Sequence, residues 1–299
     1  MIPAMRKDHV IEVGTSKGIE HIHVLRSGKG ARRFLIWHGF DAVNRFYPWS
    51  YLENHGEVIR IGLPGHGPVP PKEWADYKLW DQAHFIEIAV AVCGRFRSDE
   101  PLVLIGHSAG AIPALGAALT LGSAIGGLVL VNPLLWSSYG GLADMVSKTG
   151  LWPRVGTFFL GPKLKRKQKS VDAFLAEIRP IVGDRKSFYS NPNTYSHISD
   201  GHQDYRRMQL SGLLGAARVL MSHDMRPLVM TGKPEVPALI VHGSEDRVAP
   251  IAQSEWLMRN MSNAAMANLR GVGHIGHGER EDEFIGLVTR WLSSRKLAG

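Results

Sequence analysis

A strand-like apolar run that ends in a serine between glycines constrains this chain most. Residues 102–115 read LVLIGHSAGAIPAL, so Ser108 interrupts a segment that is otherwise suited to burial. The run before it predicts a strand and the small residues after it predict a helix. On so sharp a strand-to-helix turn, a side chain at Gly106 or Gly110 would clash, and the serine hydroxyl would stand clear. Ser108 is therefore a candidate nucleophile, and an ordinary turn or helix-capping serine is the alternative.

Apolar strand-like runs alternate with helical segments over most of the chain. The runs include FLIWHGF, EVIRIGL, PLVLIG, GGLVLV and ALIVH, and two earlier segments, HVIEV and IEHIHVL, predict further strands. Strands that are apolar on both faces are typical of a parallel sheet covered by helices on both sides. The sequence therefore predicts an α/β protein with a mostly parallel sheet.

The alternation stops between residues 135 and 233. This stretch is helical in pattern, basic and rich in aromatic residues, and it has no strand-like run of comparable strength. Because roughly a hundred residues are too many for a plain loop, we expect a helical insertion between two halves of one α/β domain. The predicted core comprises residues 1–134 and 234–299, and the predicted insertion comprises residues 135–233.

Composition and charge restrict the classes of protein to which this chain can belong. The chain of 299 residues is 44% hydrophobic and has one cysteine, Cys93, so no disulfide can form within it. We expect a cytoplasmic protein, because neither a signal-peptide pattern nor a membrane-spanning apolar run is found. The formal net charge is +8, and the one dense basic run is Lys163 to Lys169. We expect this run to be a solvated surface, without nucleic acid as a partner.

Two further stretches supply the partners that a serine nucleophile needs. GSEDRVAP follows the strand ALIVH and places Asp246 on a loop, and GVGHIGHGE places His274 in a glycine-rich loop. The order serine, aspartate, histidine is the one expected for a nucleophile, an acid and a base on one α/β sheet. His277 is the competing candidate for the base, but His274 directly follows Gly-x-Gly. A loop carboxylate and a surface histidine are the alternatives.

Other positions complete the predicted site. The strand FLIW ends in His-Gly-Phe, so the backbone N–H of Phe40 is a candidate oxyanion donor beside that of Ala109. Ala109 follows the serine at the start of a helix, where the helix dipole is positive. Trp136 lies just beyond the strand GGLVLV and is expected to line the substrate pocket. The 14 histidines form no recognisable zinc pattern, so no metal site is predicted.

Together these stretches resemble the α/β-hydrolase superfamily over nearly the whole chain outside the insertion. The matching segments are His38–Phe40, Pro64–Gly67, Gly106–Gly110, Gly243–Asp246 and Gly271–His274. The resemblance implies an eight-stranded sheet, a helical cap inserted after the sixth strand, and no cofactor. One loop departs from the family pattern D-x-P-G-x-G-x-S: residues 62–69 read GLPGHGPV, which argues against the commonest subfamily.

The serine selects among the reactions of this superfamily. Related dehalogenases and epoxide hydrolases use a carboxylate nucleophile, whereas a serine indicates acyl transfer to water. The expected activity is hydrolysis of a small or medium-chain carboxylic ester, lactone or thioester through an acyl-enzyme. The alternatives are C–C bond cleavage, perhydrolysis, or a non-catalytic receptor that keeps the pocket for a small molecule.

Overall fold

One eight-stranded sheet forms the centre of the molecule. The structure is a computed structural model that describes residues 7–46, 49–137 and 151–297. Its strands are β1 (Lys7–Thr15), β2 (Gly18–Ser27), β3 (Arg33–Trp37), β4 (Glu57–Ile61), β5 (Leu102–His107), β6 (Ile125–Val131), β7 (Ala238–Gly243) and β8 (Ala264–Leu269). They lie in the order β1-β2-β4-β3-β5-β6-β7-β8. β2 runs antiparallel to both of its neighbours, β1 and β4, and the other neighbouring strands pair in parallel, so the predicted eight-stranded, mostly parallel sheet is confirmed.

Helices cover both faces of this sheet. In the described residues they are α1 (Trp74–Tyr77), α2 (Gln82–Arg95), α3 (Ala111–Leu121), α4 (Trp152–Lys167), α5 (Val171–Ile178), α6 (Arg185–Ser190), α7 (Pro192–Arg206), α8 (Leu210–Ser222), α9 (Arg226–Gly232), α10 (Ile251–Asn260), α11 (Gly276–Glu279) and α12 (Glu281–Ser294). Short 3-10 turns occupy Ser50–Asn54, Ser108–Gly110, Gly122–Ala124 and Arg179–Ile181. None of the described helices is long and apolar enough to cross a membrane.

The central strands are buried on both faces because successive side chains point to opposite sides of a strand. Leu104 and Leu128 pack in one apolar cluster with residues of α2 and α3. Val103 and Val129, one position away, pack in a second cluster with residues of α12. Full burial of each such side chain stabilises the fold by roughly 1.5–3 kcal/mol. This two-sided burial explains why the strands are so uniformly apolar in sequence.

In the described residues, the regular elements between β6 and β7 are helices joined by short non-helical segments. It contains helices α4 to α9, and residues 138–150 lie outside the described part of the chain. It contacts the loops that follow the strands, because the N–H of His274 donates to the carbonyl of Ile181 at 2.8 Å. The division into a core and a cap domain at residues 134 and 233 stays a prediction.

Candidate active site

Ser108 lies on a strained turn at the end of β5. Its φ of +53° is in the left-handed region, which costs a non-glycine residue roughly 1–2 kcal/mol. A Cβ at Gly106 would lie 2.4 Å from the carbonyl oxygen of Gly110, and a Cβ at Gly110 would lie 2.5 Å from that of Trp37. Both flanking positions therefore require glycine, and the turn has the geometry predicted from the sequence.

Ser108, His274 and Asp246 form one hydrogen-bonded chain. The Oγ of Ser108 lies 2.8 Å from Nε2 of His274, and Nδ1 of His274 lies 2.8 Å from Oδ2 of Asp246. Because a carboxylate only accepts, Nδ1 carries the imidazole proton and Nε2 is free to accept from the serine hydroxyl. The structure thus brings together the three residues that the sequence proposed as nucleophile, base and acid.

The surroundings of Asp246 favour its ionised form. Its side chain has no exposed surface, and this burial by itself opposes ionisation. Hydrogen bonds from His274, from Asn132 and from the backbone N–H of Val248 outweigh it and lower the pKa of Asp246 to about 2. The carboxylate is therefore charged at neutral pH and holds the imidazole in the required tautomer.

Asn132 is a site residue that the sequence analysis missed. It follows the last residue of β6, with a φ of +46°, and it is fully buried. Its Nδ2 donates to Oδ2 of Asp246 at 2.6 Å and to the carbonyl of Gly273 at 3.2 Å. A buried amide thus links the acid to the loop that carries His274. A polar residue directly after the apolar run LVLV was the available clue.

The loop that carries Phe40 lies against the nucleophile. A Cβ built at Gly39 would lie 3.1 Å from Cβ of Ser108, so the backbone reaches the site only because this residue is glycine. Phe40 is half-buried in the cavity wall, and Ala109 is buried in the 3-10 turn that precedes α3. The two predicted oxyanion donors therefore lie on backbone segments that flank Ser108.

Two buried histidines hold that loop. His38 donates from Nδ1 to the carbonyl of Gly39 at 2.7 Å, and its Nε2 accepts from the N–H of Leu63 at 3.1 Å. His66 accepts from the N–H of Asp41 through Nε2 at 3.1 Å. Burial lowers the pKa of both histidines, so each remains neutral and keeps an acceptor nitrogen at neutral pH. The loop after β4 thereby fixes the loop after β3.

His277 is the competing candidate for the base. It packs beside the hydrogen-bonded chain of Ser108, His274 and Asp246 and is not a member of it. Its ring contacts that of His107 at a centroid distance of 4.7 Å and stacks on Trp49 at 6.1 Å. His107 in turn donates from Nε2 to the carbonyl of His274 at 2.9 Å. In the described residues, the Oγ of Ser108 is hydrogen-bonded to His274 and not to His277. The geometry therefore favours His274 as the base.

A buried carboxylate pins the His274 loop to the insertion. Oε2 of Glu279 accepts from the N–H groups of Gly273 at 2.9 Å, Gly183 at 2.9 Å and Asp184 at 2.7 Å. Gly183 and Asp184 belong to the insertion, whereas Gly273 directly precedes His274. Charge-assisted hydrogen bonds of this kind are the strong ones. Glu279 therefore couples the position of the base to the packing of the insertion.

A cavity of about 360 Å³ opens onto Ser108 and His274. Much of its wall is apolar, and the insertion supplies a large part of it: Leu160, Phe174, Ile178, Ile181, Phe188 and Ile198. Sites that are concave and mostly apolar, with a few convergent polar groups, are typical for small-molecule ligands. The position of the cavity at the carboxyl edge of the sheet is the usual one for α/β folds.

The structure corrects the expectation for Trp136. Its ring does not line the cavity; it packs against Trp256 at a centroid distance of 5.9 Å and beneath the guanidinium of Arg226 at 4.9 Å. The reason is that Gln253 holds the chain at this point, since its Oε1 accepts from the N–H groups of Leu135 and Trp136. Leu134, two residues earlier, lines the cavity instead.

The basic run also departs from the expected solvated surface. Lys163 and Lys167 both line the cavity, Lys163 as an exposed residue and Lys167 as a buried one. Nζ of Lys167 lies 2.5 Å from Oδ2 of Asp41. The other basic residues of the run, Lys165, Arg166 and Lys169, are exposed as expected. Two members of the run thus line the cavity, and one of them, Lys167, is buried.

Among the residues that the structure describes, one group of possible metal ligands lies away from this site. Asp8, His23 and Asp204 bring ligand atoms within 4.8 Å of one another. The guanidinium of Arg45 already bridges the two carboxylates, at 2.6 Å from Asp8 and 2.8 Å from Asp204. An arginine thus provides the positive charge that this cluster needs, and no metal is required to explain it.

Acid should destabilise the fold through the buried histidines. Burial, with neighbouring histidines adding to it, lowers the pKa of His107 to about 3 and that of His38 and His277 well below 6.5. Between pH 6.5 and 3 the unfolded chain therefore binds protons that the folded chain excludes. The free energy of unfolding should fall with falling pH in this window, by about 1.4 kcal/mol per pH unit for each such histidine.

Urea unfolding at several pH values measures this slope. His277→Gln removes one of the excluded protons, so its slope should be smaller than that of the wild type by about one histidine. Equal slopes for the two proteins would show that His277 does not resist protonation.

The sheet order, with a serine on the turn after β5, places this structure in the class of α/β hydrolases. A family model described as the alpha/beta hydrolase family matches residues 34–287, and the chain belongs to that family.

Curated relatives match parts of the chain. Lipase LipV of Mycobacterium tuberculosis is 29% identical over 167 residues, which are 54% of this chain and 59% of that protein. A pimeloyl-(acyl-carrier protein) methyl ester esterase of Chromobacterium violaceum is 26% identical over 84 residues, which are 28% of this chain and 32% of that protein. The chain thus spans less than two thirds of either relative.

Among solved structures, a malate-bound thermophilic esterase from Thermogutta terrifontis is similar, with a TM-score of 0.72 and 18% identity. The match covers 96% of this chain and 99% of that one. At this identity the likeness concerns the fold.

Proposed function

We propose that this protein hydrolyses carboxylic esters through an acyl-enzyme formed on Ser108. The observation that carries the proposal is the chain of two 2.8 Å hydrogen bonds from Ser108 through His274 to Asp246. A serine hydroxyl is a weak nucleophile, and a neutral imidazole within hydrogen-bond reach activates it. The ionised Asp246 stabilises the imidazolium that forms when the proton is transferred.

In the acylation step, Oγ of Ser108 attacks the ester carbonyl carbon while its proton passes to Nε2 of His274. The carbonyl oxygen becomes an oxyanion, which accepts hydrogen bonds from the N–H groups of Phe40 and Ala109. When the tetrahedral intermediate collapses, the C–O bond to the alcohol breaks and His274 returns the proton to the leaving alkoxide. A water molecule, deprotonated by His274, then attacks the acyl carbon, the bond from that carbon to Oγ breaks, and His274 returns the proton to Ser108 as the acid is released.

The cavity supports an apolar acyl group as the substrate part that the site recognises. Its volume of about 360 Å³ suits a small or medium acyl chain, and its apolar residues from the insertion would exclude water around it. The names of the two curated relatives, a lipase and a methyl ester esterase, agree with an ester. A small-molecule partner and a cytoplasmic location are part of the same proposal.

A fluorophosphonate probe tests the nucleophile, and p-nitrophenyl esters of rising chain length, beside acyl-CoA thioesters, test the substrate. We expect one adduct, located on Ser108 by mass spectrometry, and turnover that is highest with short or medium acyl chains. An unlabelled Ser108 in folded protein would favour a receptor. A labelled Ser108 without ester turnover would instead indicate C–C bond cleavage or perhydrolysis.

A further inference from the structure

Asp41, the residue after the proposed oxyanion donor Phe40, is held by side chains of the insertion. Its φ of +58° is in the left-handed region, where a non-glycine residue needs support from its surroundings. Its Oδ1 accepts from the hydroxyl of Tyr205 at 2.6 Å, and its Oδ2 pairs with Nζ of Lys167 at 2.5 Å. We call these three residues the clasp.

Two of the three clasp residues are buried where the insertion meets the core, and the side chain of Asp41 is 20% exposed. Tyr205 has no exposed surface, Lys167 is 8% exposed, and the ammonium lies 5.5 Å from the ring centroid of Phe174. Burial, together with the nearby Asp41 carboxylate, raises the pKa of Tyr205, so its hydroxyl stays a donor. Taking a lysine out of water is costly, so the attraction within a buried ion pair is largely offset and adds little net stability to a fold.

The clasp acts on a loop whose position matters for the proposed reaction. Asp41 also gives its N–H to His66, so its backbone is fixed on one side and its carboxylate on the other. The peptide N–H of Phe40 is one residue away. A shift of well under 1 Å in that N–H would weaken its hydrogen bond to an oxyanion, because such donors act by being placed in advance.

We propose that Lys167 and Tyr205 are positioning residues that, through Asp41, hold the Phe40 N–H in the oxyanion site. The proposal rests on the function proposed above. It gives one lysine of the basic run a role: Lys167 ties α4 to the loop after β3, and Tyr205 ties α7 to the same carboxylate. Hydrolysis then requires that the insertion be seated on the core, because an insertion that lifts away releases Asp41.

The test compares Lys167→Met with Lys165→Met, a matched change at an exposed residue of the same helix. For a p-nitrophenyl ester we expect Lys167→Met to lower kcat by about 10- to 100-fold, with KM changed less than about threefold. This loss of kcat is smaller than the loss caused by removing an oxyanion donor altogether. Lys165→Met should match the wild type. A trifluoromethyl ketone, whose adduct with Ser108 places an oxyanion in the site, should lose affinity in parallel with kcat/KM.

Two further variants separate positioning from stability. Lys167→Arg keeps a cation for Asp41 and should recover most of the lost kcat, and Tyr205→Phe, which removes one oxygen, should lower kcat about threefold or more. If a thermal melt shows that Lys167→Met is not folded at the assay temperature, the kcat of Tyr205→Phe decides whether the clasp positions the loop. Wild-type kcat in Tyr205→Phe, or a raised KM with unchanged kcat in Lys167→Met, would overturn the clasp while Ser108 labelling still supports the esterase. An unlabelled wild type would overturn both.

Discussion

Replacing Ser108 with alanine should lower kcat for a p-nitrophenyl ester by roughly 10⁴- to 10⁶-fold, because covalent catalysis is lost altogether. The residual rate would come from the oxyanion donors and from binding alone. KM should change little, since the hydroxyl contributes to the transition state rather than to binding of the apolar acyl group. Steady-state kinetics over several substrate concentrations measure both constants.

The same variant should fold normally, which makes the loss of activity interpretable. It removes one hydrogen bond, to His274, worth about 1 kcal/mol, and creates no large cavity. Ser222→Ala is a matched control: this exposed serine ends α8 and donates only to carbonyls of its own helix. A Ser108→Ala protein that keeps more than about one hundredth of wild-type kcat would rule out Ser108 as the nucleophile.

The nucleophile turn could be predicted from sequence because its determinants are local. The apolar run, the two glycines and the small residues after them all lie between residues 102 and 115. The loops that bear Asp246 and His274 were predictable for a related reason, since each follows a recognisable strand. In parallel sheets the carboxyl ends of strands share one edge, so residues there are brought together by the fold itself.

The roles of Asn132 and Trp136 were harder to predict from the sequence, because they depend on which elements are neighbours in space. Asn132 reaches Asp246 because β6 and β7 are adjacent strands, a fact of strand order that no local pattern contains. Trp136 lies near the site along the chain, but Gln253 of α10 turns its backbone so that the ring packs on Trp256. The position of Trp136 along the chain predicted that it lies near the site, but it did not predict the direction of the side chain.

Lys167 was missed although a helical pattern contained it. Buried positions on α4 recur at Trp152, Gly156, Leu164 and Lys167, with the half-buried Leu160 between them. This spacing of three to four residues marks one face of a helix. Lys167 continues that face, so its place in the stripe indicated burial even though its neighbours in the basic run are exposed. For Lys167, the helical periodicity was a better guide to burial than the charge of the neighbouring residues.

Replacing His274 with alanine should lower kcat on the order of 10⁴-fold or more, because Ser108 then loses the only base that reaches it in the described residues. Labelling of Ser108 by the fluorophosphonate should slow in parallel, since that reaction also needs the hydroxyl proton removed. Asp246 keeps the bonds from Asn132 and from the N–H groups of Val248 and Ala249, so the carboxylate stays satisfied. Thermal unfolding should therefore change little.

His277→Gln is the matched control for that result, because the two histidines are three residues apart and line one cavity. His277 packs on Trp49 and on His107, and its burial lowers its pKa well below 6.5, so it is neutral and not hydrogen-bonded to Ser108. Its replacement should cost less than about tenfold in kcat, through a small shift of His107 and hence of the His274 backbone. The opposite ranking of the two variants would assign the base to His277. It would also show that the loop rearranges when substrate binds, because the hydrogen bond to Ser108 would then have to pass from one histidine to the other.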